Sequence, residues 1–436
     1  MSGRFASLSV TGLTAYLLRY YLFFCMVPMI TLILPWFGPD SAGGAEAQAR
    51  SLARTLRAIG YPVRVWASTG RDSFQPGESS GQPHGTRPHY SSGPGEVDGV
   101  PVWRFRPSPV GPGGVPRFFA AHPDLLPPLE GFAQHELALL GSLLSSDELY
   151  EAIWAARDDQ AVHFVFLPYP FPTTFWGTQV VPARSYLLAC LHDEPYARYA
   201  TYRQMFGRAC GMLANSHPEA DLARTLYGLP TERICVTGEG IDLTSQGDGA
   251  RFRLRHGLGD RPLLLYAGRR DQSKNIPLLL AYVREYWARR GGSLCLALMG
   301  AADLNSAVGY TPGLADLILD LGFQSDQEKQ DAYAAADVFI QPSLYESFSI
   351  VLMEAWLQGT PALVNADCAV TSDHARRCGG GLTFGSFGEF AAALDLLLAR
   401  PDVRQELGAR GRAYVRETCD WEIVARRTAD FVLSDQ

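Results

Sequence analysis

The chain has 436 residues, of which 47% are hydrophobic and 19% are charged. This composition is typical of a globular protein with about two or three domains, each large enough to bury a core. The formal net charge of −7 excludes a chain-wide basic field, so we expect no nucleic-acid partner.

The N-terminal stretch is the first element to interpret. Residues 20–39 carry no charge, and this length would admit a transmembrane helix. However, residues 29–35 have the pattern of a buried first strand, Arg19 interrupts the apolar run upstream, and no signal-peptide cleavage site follows. Three interpretations of residues 1–28 stay open: a peripheral membrane anchor, a packed extra helix, or a start codon assigned too early.

A glycine-rich loop, GPDSAGGAE, follows this strand and leads into a helix that ends near Gly60. Gly43 and Gly44 would let a phosphate or sugar approach the backbone closely at a helix N-terminus, so we predict that they bind substrate. The loop lacks the G-x-G-x-x-G spacing, and the chain has no G-x-x-x-x-G-K-[ST] motif. These absences disfavour a dehydrogenase and a P-loop nucleotidase.

Short apolar strands then alternate with helices through both halves of the chain. The first half contains YPVRVWAS, VPVWRF, AVHFVFLPY, SYLLACLHD, GMLANS and RICVTGEGID, and the second contains LLLYAG, LCLALMG, DVFIQPS and PALVNA. This alternation predicts two doubly wound α/β domains, residues 29–242 and 243–418, with ligands at the carboxyl ends of their strands. Gly- and Pro-rich composition predicts a flexible insertion over about residues 70–117.

Neither a disulfide framework nor a metal site is expected. The eight cysteines are scattered without a C-x-x-C pair, which is typical of reduced cysteines in a cytoplasmic protein. The sequence has no Asp-x-Asp triplet, so we do not expect a divalent cation to hold a diphosphate.

Two cations follow the strand LLLYAG. Arg269 and Lys274 lie on the turn into the next helix, where they would form an anion site suited to a pyrophosphate. Lys274 and Lys329 are the only lysines in the sequence, which favours a function for Lys274. A solvated basic loop is the alternative.

The stretch YESFSIVLMEAW follows the strand DVFIQPS and begins another helix. Ser347 is the predicted N-cap, and the backbone amides from Phe348 and Ser349 onward would point at a bound anion. Glu346 and Glu354 lie about 12 Å apart by the rise of a helix, which is similar to the distance from hexose to ribose in a nucleotide sugar. Carboxylates accept hydrogen bonds from pairs of hydroxyls. Two solvent-facing glutamates are the alternative.

The order of these motifs resembles that of the family 4 retaining glycosyltransferases, which have the GT-B fold. The similarity covers the chain from about residue 29 to its end and rests on GGAEAQARSLARTLRAIGYPVRV, LANS, VTGEGID, YAGRRDQSKN, LGFQSDQEKQDAYAAADVFIQPSLYESFSIVLMEAWLQGTP and WEIVARR. It implies two Rossmann-like domains facing each other across a cleft, the first for the acceptor and the second for the donor. The final helix, within residues 419–436, is expected to cross back to the N-terminal domain.

The resemblance also implies roles for residues of the second domain: Glu346 near the donor hexose, Glu354 on the ribose, Arg269 and Lys274 on the diphosphate, and Gly322 and Phe323 near the nucleobase. This chain departs from the pattern after PALVNA, where many relatives carry a glycine-rich turn and a glutamate. It has DCAVTSDHARRCGGG instead, which bears on the local shape of the donor pocket and not on the fold.

His192 and Asp193 come just after the strand SYLLACL, at the edge expected to line the cleft. The resemblance implies that a histidine here bonds to the donor sugar near the reacting carbon. Alternatively, His192 is a surface residue satisfied by Asp193, or Asp193 is itself the polar contact.

The function implied is transfer of a hexose from a UDP- or GDP-linked donor to a saccharide or glycolipid acceptor, with retention of configuration and without a cofactor or metal. The leaving phosphate would help to deprotonate the acceptor. The expected location is the cytoplasm, with association at the inner face of the cytoplasmic membrane left open. The alternatives are a nucleotide-sugar epimerase of the same fold and a non-catalytic sugar-nucleotide-binding protein.

Overall fold

The structure is a computed structural model, and it describes residues 28–41, 43–72, 87–270, 272–291, 293–300 and 317–434. The hydrophobic stretch before residue 28, with its three interpretations, lies outside the described residues. The strands form two sheets, one from each half of the chain, and the predicted α/β GT-B architecture is confirmed.

The N-terminal sheet has eight strands in the order β3-β4-β2-β1-β5-β6-β7-β8. Neighbouring strands are parallel except for β3 and β4. The strands are β1 Met29–Ile33, β2 Val63–Ser68, β3 Gly93–Val97, β4 Val100–Phe105, β5 Val162–Phe166, β6 Ser185–Leu188, β7 Gly211–Ala214 and β8 Ile234–Val236.

The C-terminal sheet has six strands, all parallel, in the order β11-β10-β9-β12-β13-β14. Because it is covered by helices, β9, β10, β12 and β13 are buried along their whole length, which explains their continuous apolar sequences. The strands are β9 Leu263–Ala267, β10 Cys295–Met299, β11 Ile318–Gly322, β12 Val338–Gln341, β13 Ala362–Asn365 and β14 Gly381–Phe384.

The helices that the structure describes connect these strands and cover the sheets. They are α1 Gly44–Ala58, α2 Arg117–Ala121, α3 Gln134–Gly141, α4 Asp147–Ala155, α5 Pro172–Val180, α6 Ala200–Arg208, α7 His217–Tyr227, α8 Gly249–Arg255, α9 Ile276–Arg290, α10 Asp326–Ala335, α11 Ile350–Leu357, α12 Ala369–Cys378, α13 Phe387–Ala399, α14 Pro401–Thr418 and α15 Trp421–Leu433. None of these helices has the length and apolar character needed to cross a membrane.

The C-terminal helix α15 lies against the N-terminal sheet. Its apolar face, which includes Val424 and Ala425, joins the core formed by β1, β2 and α1, and the Phe431 ring meets the Tyr186 ring edge-on at 5.8 Å. Gly240 has no side chain because a Cβ there would collide with the Trp421 ring. The end of the chain therefore packs on the loop that leads from β8 toward the C-terminal sheet.

The insertion predicted over residues 70–117 is wrong in part, because Gly93–Val97 forms the edge strand β3. Asp98 and Gly99, with φ of 50° and 77°, make the tight turn into β4. Glycine and proline are tolerated at the edge of a sheet, where one side of the strand needs no ladder partner. The Gly- and Pro-rich composition of this segment therefore did not indicate the strand.

The seven cysteines that the structure describes form no disulfide. Three of them, Cys295, Cys368 and Cys419, are buried, and burial raises their thiol pKa.

Candidate active site

Three loops meet at the carboxyl edge of the C-terminal sheet, after β9, β12 and β13. The carbonyl oxygen of Pro342 accepts hydrogen bonds from Asn275 Nδ2 at 3.1 Å and from Asn365 Nδ2 at 3.0 Å. Because β9, β12 and β13 are neighbours, one carbonyl can tie all three loops together. The loops therefore present their side chains from a fixed frame.

Lys274, predicted to bind the diphosphate, and Glu346, predicted to lie near the donor hexose, form an ion pair. Lys274 Nζ lies 2.7 Å from Glu346 Oε1, and Gln341 Nε2 donates to the same oxygen at 2.8 Å. The Glu346 side chain is 11% exposed. No residue that the structure describes donates to its other oxygen, Oε2, so one oxygen is held and one is open to a ligand.

The two arginines beside Lys274 differ in environment. Arg269 is exposed, and its Nη2 donates to Ser273 Oγ at 3.1 Å. Arg270 is buried, pairs with Asp320 at 2.6 Å and donates to the Leu298 carbonyl at 3.0 Å, so it is a structural residue. Only Arg269 is placed to meet a ligand from solvent.

Glu354 has a lysine of its own. Lys329 Nζ lies 2.7 Å from Glu354 Oε1, and the Tyr333 hydroxyl donates to Oε2 at 3.0 Å, so both oxygens are held. Burial alone would lower the pKa of Lys329, but the charge and hydrogen bond of Glu354, together with Asp326, outweigh burial and leave the pKa above its ordinary value. The sequence interpretation missed Lys329, although the scarcity of lysine was a signal that could have found it.

The start of α11 differs from the prediction. The N-cap is Ser349 and not Ser347, and the helix begins at Ile350, because Ser349 adopts a left-handed conformation with φ of 79°. Phe348 is buried against the His374 ring and belongs to the core. The Ser349 hydroxyl is buried without a hydrogen-bond partner among the described residues. An unpaired buried hydroxyl beside free helix amides is typical of a site that a ligand completes.

The predicted nucleobase contacts lie on the loop after β11. Gly322 has a φ of 62°, which favours glycine, and Phe323 is 87% exposed. An aromatic ring this exposed is available for stacking. Its contact with a base stays a prediction.

His192 has a different acidic neighbour from the one considered. Its Nδ1 lies 3.6 Å from Glu194 Oε2, whereas Asp193 pairs with Arg198 at 2.6 Å. The alternative in which Asp193 satisfies His192 is therefore wrong. Burial alone would raise the pKa of Glu194, but His192, Tyr196 and the positive charge of Lys274 leave it below its ordinary value. The charge of Lys274 thus reaches across the cleft to the N-terminal side.

The glycine loop before α1 holds a carboxyl group that the sequence interpretation missed. Gly43 has a φ of 135°, and a Cβ there would collide with Glu46 Oε2. Burial raises the pKa of Glu46 to about 7. With this carboxyl at the helix N-terminus, Gly43 and Gly44 suit a sugar hydroxyl better than a phosphate.

Two more carboxyl groups on the N-terminal side, those of Glu219 and Glu239, are buried. Glu219 accepts hydrogen bonds from the amides of Leu191 at 2.6 Å and Asn215 at 2.5 Å, and burial raises its pKa to about 8. Glu239 is 4% exposed, and its Oε1 has no partner among the described residues. Burial, followed by the charges of Glu219 and Glu346, raises the pKa of Glu239.

A cavity of about 520 Å³ lies between the two sheets and brings His192, Asp193 and Glu346 together. Its walls are the loop after β6, helix α7, and the loops after β12 and β13. This volume is within the ~300–1,000 Å³ range of small-molecule sites. The other predicted site residues do not line this cavity. They are Gly43, Gly44, Arg269, Lys274, Gly322, Phe323, Ser347, Phe348, Ser349 and Glu354.

A metal centre has no obvious ligands in this part of the molecule. Across the described ranges, no group of three or more His, Cys, Asp or Glu side chains is arranged to hold a metal ion. Metal independence stays a prediction.

Comparison with known proteins supports this description. Residues 251–414 match the family described as glycosyl transferases group 1. The chain is 30% identical to the D-inositol 3-phosphate glycosyltransferase of Nocardia farcinica over 51% of its length and 52% of that relative's. It is 28% identical to the protein of the same name from Frankia alni, over 86% of its length and 91% of that relative's.

A solved structure gives the same fold at low sequence identity. Anabaena Alr3699/HepE in complex with UDP and glucose has a TM-score of 0.64 and 16% identity, over 93% of this chain and 99% of that one. Residues 251–414 are thus similar to the group 1 glycosyl transferases, and the similarity of fold extends over nearly the whole chain. The match to the first relative spans only about half of that protein's length, so its activity does not transfer directly.

Proposed function

We propose that this chain, whose residues 251–414 belong to the group 1 glycosyl transferases, transfers a hexose from a nucleotide-diphosphate sugar to a hydroxyl-bearing acceptor. The observation that carries the proposal is the Lys274–Glu346 pair of 2.7 Å at the edge of a cavity that also contains His192. A cation, a carboxylate and a histidine converge there from both sides of the cleft. This set matches the diphosphate, the hexose and the reacting carbon of one donor.

The cations would stabilise the departing diphosphate. An ammonium group has three donors, so Lys274 can keep its bond to Glu346 and also donate to a phosphate oxygen. Arg269, exposed on the same loop, adds a second positive charge. Fixed cations aimed at a leaving group lower the barrier because they need no reorganisation as charge develops.

The two glutamates would position the donor at its two ends. Glu354 is held on both oxygens and would accept the ribose hydroxyls. Glu346, open at Oε2, would accept hexose hydroxyls and align the reacting carbon beside His192. Holding the reacting atoms in place supplies much of the rate enhancement in transfer reactions.

We further propose retention of configuration, with the leaving phosphate taking the acceptor proton on the same face of the sugar. No protein nucleophile is then required. The acceptor would be a saccharide or glycolipid in glycoconjugate biosynthesis, used in the cytoplasm, and the donor base would be uracil or guanine. Peripheral association with the membrane is a separate proposal that depends on residues before the described part of the chain.

Incubation with UDP- and GDP-linked sugars, with and without an acceptor panel, tests this function. We expect free nucleoside diphosphate to appear only with an acceptor, and the product's anomeric proton signals to show retention. An epimerised nucleotide sugar formed without acceptor would instead identify an epimerase. An unaltered donor that binds but never reacts would identify a non-catalytic binding protein.

A further inference from the structure

Asp367 differs from the other carboxylates that line the cavity. Five of them already have partners at hydrogen-bond distance: Asp193 with Arg198, Glu219 with two backbone amides, Asp221 with Arg224, Glu346 with Lys274, and Asp373 with Arg376 and Arg377. Among the residues that the structure describes, no donor or cation pairs with the carboxylate of Asp367. Both of its oxygens therefore stay available to a ligand, whereas Glu346 has only Oε2 open.

Asp367 also lies on a fixed turn. Its amide donates to Asn365 Oδ1 at 3.0 Å, and Asn365 Nδ2 donates to the Pro342 carbonyl at 3.0 Å. On the other side, the Ala366 amide donates to the Phe384 carbonyl at 2.8 Å. The turn is thus tied to the loop that carries Glu346 and to the neighbouring strand β14.

Strand order brings Asp367 and Glu346 to the same edge of the C-terminal sheet. Asp367 follows β13 and Glu346 follows β12, and these two strands are adjacent and parallel. Carboxyl ends of adjacent parallel strands meet at one edge of a sheet, and both residues line the same cavity. A group held by Glu346 is therefore within the region that Asp367 faces.

We propose that Asp367 binds hydroxyl groups of the transferred sugar and makes the site selective for a neutral hexose over a hexuronic acid. This inference rests on the proposed transferase function. A carboxylate only accepts hydrogen bonds, so it pairs with hydroxyls. A carboxylate on the sugar would meet the negative charge of Asp367, whereas Arg376, an arginine that lines the same cavity, is already paired with Asp373. Such charge repulsion is one way in which sites reject a wrong ligand.

Calorimetric titration of Asp367→Asn tests the proposal without an acceptor. The probes are the free nucleoside diphosphate, its glucose derivative and its glucuronic acid derivative, each with the base that the wild-type chain binds. We expect unchanged affinity for the free nucleotide and roughly ten- to hundredfold weaker binding of the glucose derivative, the loss typical of one hydrogen bond to a charged group. The ratio of the affinity for the glucose derivative to that for the glucuronic acid derivative should be smaller than in the wild type.

Asp402→Asn is the matched control, because Asp402 is an exposed aspartate paired with Arg400 outside the cavity. It should bind all three probes as the wild type does. Wild-type affinities and an unchanged sugar preference in Asp367→Asn would overturn this inference alone. A wild-type chain that binds no nucleotide sugar would overturn the proposed function and this inference together.

Discussion

The carboxyl groups on the two sides of the cleft differ in the groups that hold them. On the C-terminal side, Glu346 and Glu354 each have a lysine at 2.7 Å, and these are the only lysines of the chain. On the N-terminal side, burial raises the pKa of Glu46 to about 7 and that of Glu219 to about 8, and backbone amides hold Glu219 in place of a cation.

This difference indicates what each side is built to bind. On the C-terminal side, each carboxylate is paired with a lysine, and the proposed diphosphate would bind beside Lys274. Carboxyl groups that hold a proton near neutral pH can both donate and accept hydrogen bonds, which suits hydroxyl groups and does not suit a phosphate. This supports the proposal that the acceptor, which the N-terminal side would bind, is neutral and rich in hydroxyl groups.

The largest effect is expected from substitution of Glu346, on the C-terminal side of the cleft. Glu346→Ala should lower kcat about 100-fold or more, because the reacting carbon loses its alignment, while affinity for free nucleotide barely changes. Glu354→Ala should instead weaken free nucleotide and donor by similar factors. Steady-state kinetics with nucleotide titrations measure both, and Glu346→Gln shows whether the charge itself matters. Matching kinetic profiles for the two alanine variants would refute this division of roles.

The next effect concerns the two protein cations that are proposed to bind the diphosphate. Lys274→Ala and Arg269→Ala should each weaken binding of nucleoside diphosphate by about 1.5–3 kcal/mol, the typical worth of a charged hydrogen bond. Arg290→Ala is a suitable control, since Arg290 is an exposed arginine paired with Asp395 on α9 and α13. Wild-type affinity in both loop variants, measured by calorimetry, would contradict the assignment of Lys274 and Arg269 to the diphosphate.

A smaller effect tests the second lysine as a positioning residue. Lys329→Met keeps the length of the side chain and removes the charge that holds Glu354, so nucleotide affinity should fall by about 0.5–1.5 kcal/mol with kcat nearly unchanged. A fall in kcat without a change in affinity would contradict this role. Adding Lys329→Met to Glu354→Ala should have little further effect if Lys329 acts through Glu354.

The smallest effect sharpens the N-terminal side of the comparison. The folded state raises the pKa of Glu46 from 4.5 to about 7, so it holds the proton more tightly than the unfolded chain does. The free energy of unfolding should therefore fall as pH rises from 4.5 through about 7. The Glu46→Gln side chain is neutral at every pH, so the stability of this variant should fall less over this pH range. In melting curves, its loss of Tm should be a few degrees smaller than that of the wild type. Glu422→Gln, at an exposed glutamate of α15, should leave the slope unchanged.

Local pattern determined the elements and most of the candidate site. Strand and helix periodicity predicted two α/β series, and motifs at strand ends located Lys274, Glu346 and His192. The fold could be predicted because periodicity and the carboxyl-end rule depend on residues close together in sequence, and the roles of these three residues stay predictions. The motif spacing likewise carried the family resemblance, and residues 251–414 match the group 1 glycosyl transferases.

Tertiary structure decided the partners of those residues. Lys329 and Glu354 are 25 positions apart and meet because α10 and α11 pack together, and Asn275 and Asn365 meet at Pro342 because β9, β12 and β13 are neighbours.

Backbone conformation decided the rest. The left-handed φ of Ser349 moved the N-cap from Ser347, and edge pairing made a strand of Gly93–Val97. No local pattern encodes these features, since each depends on chain segments that only the fold brings into contact.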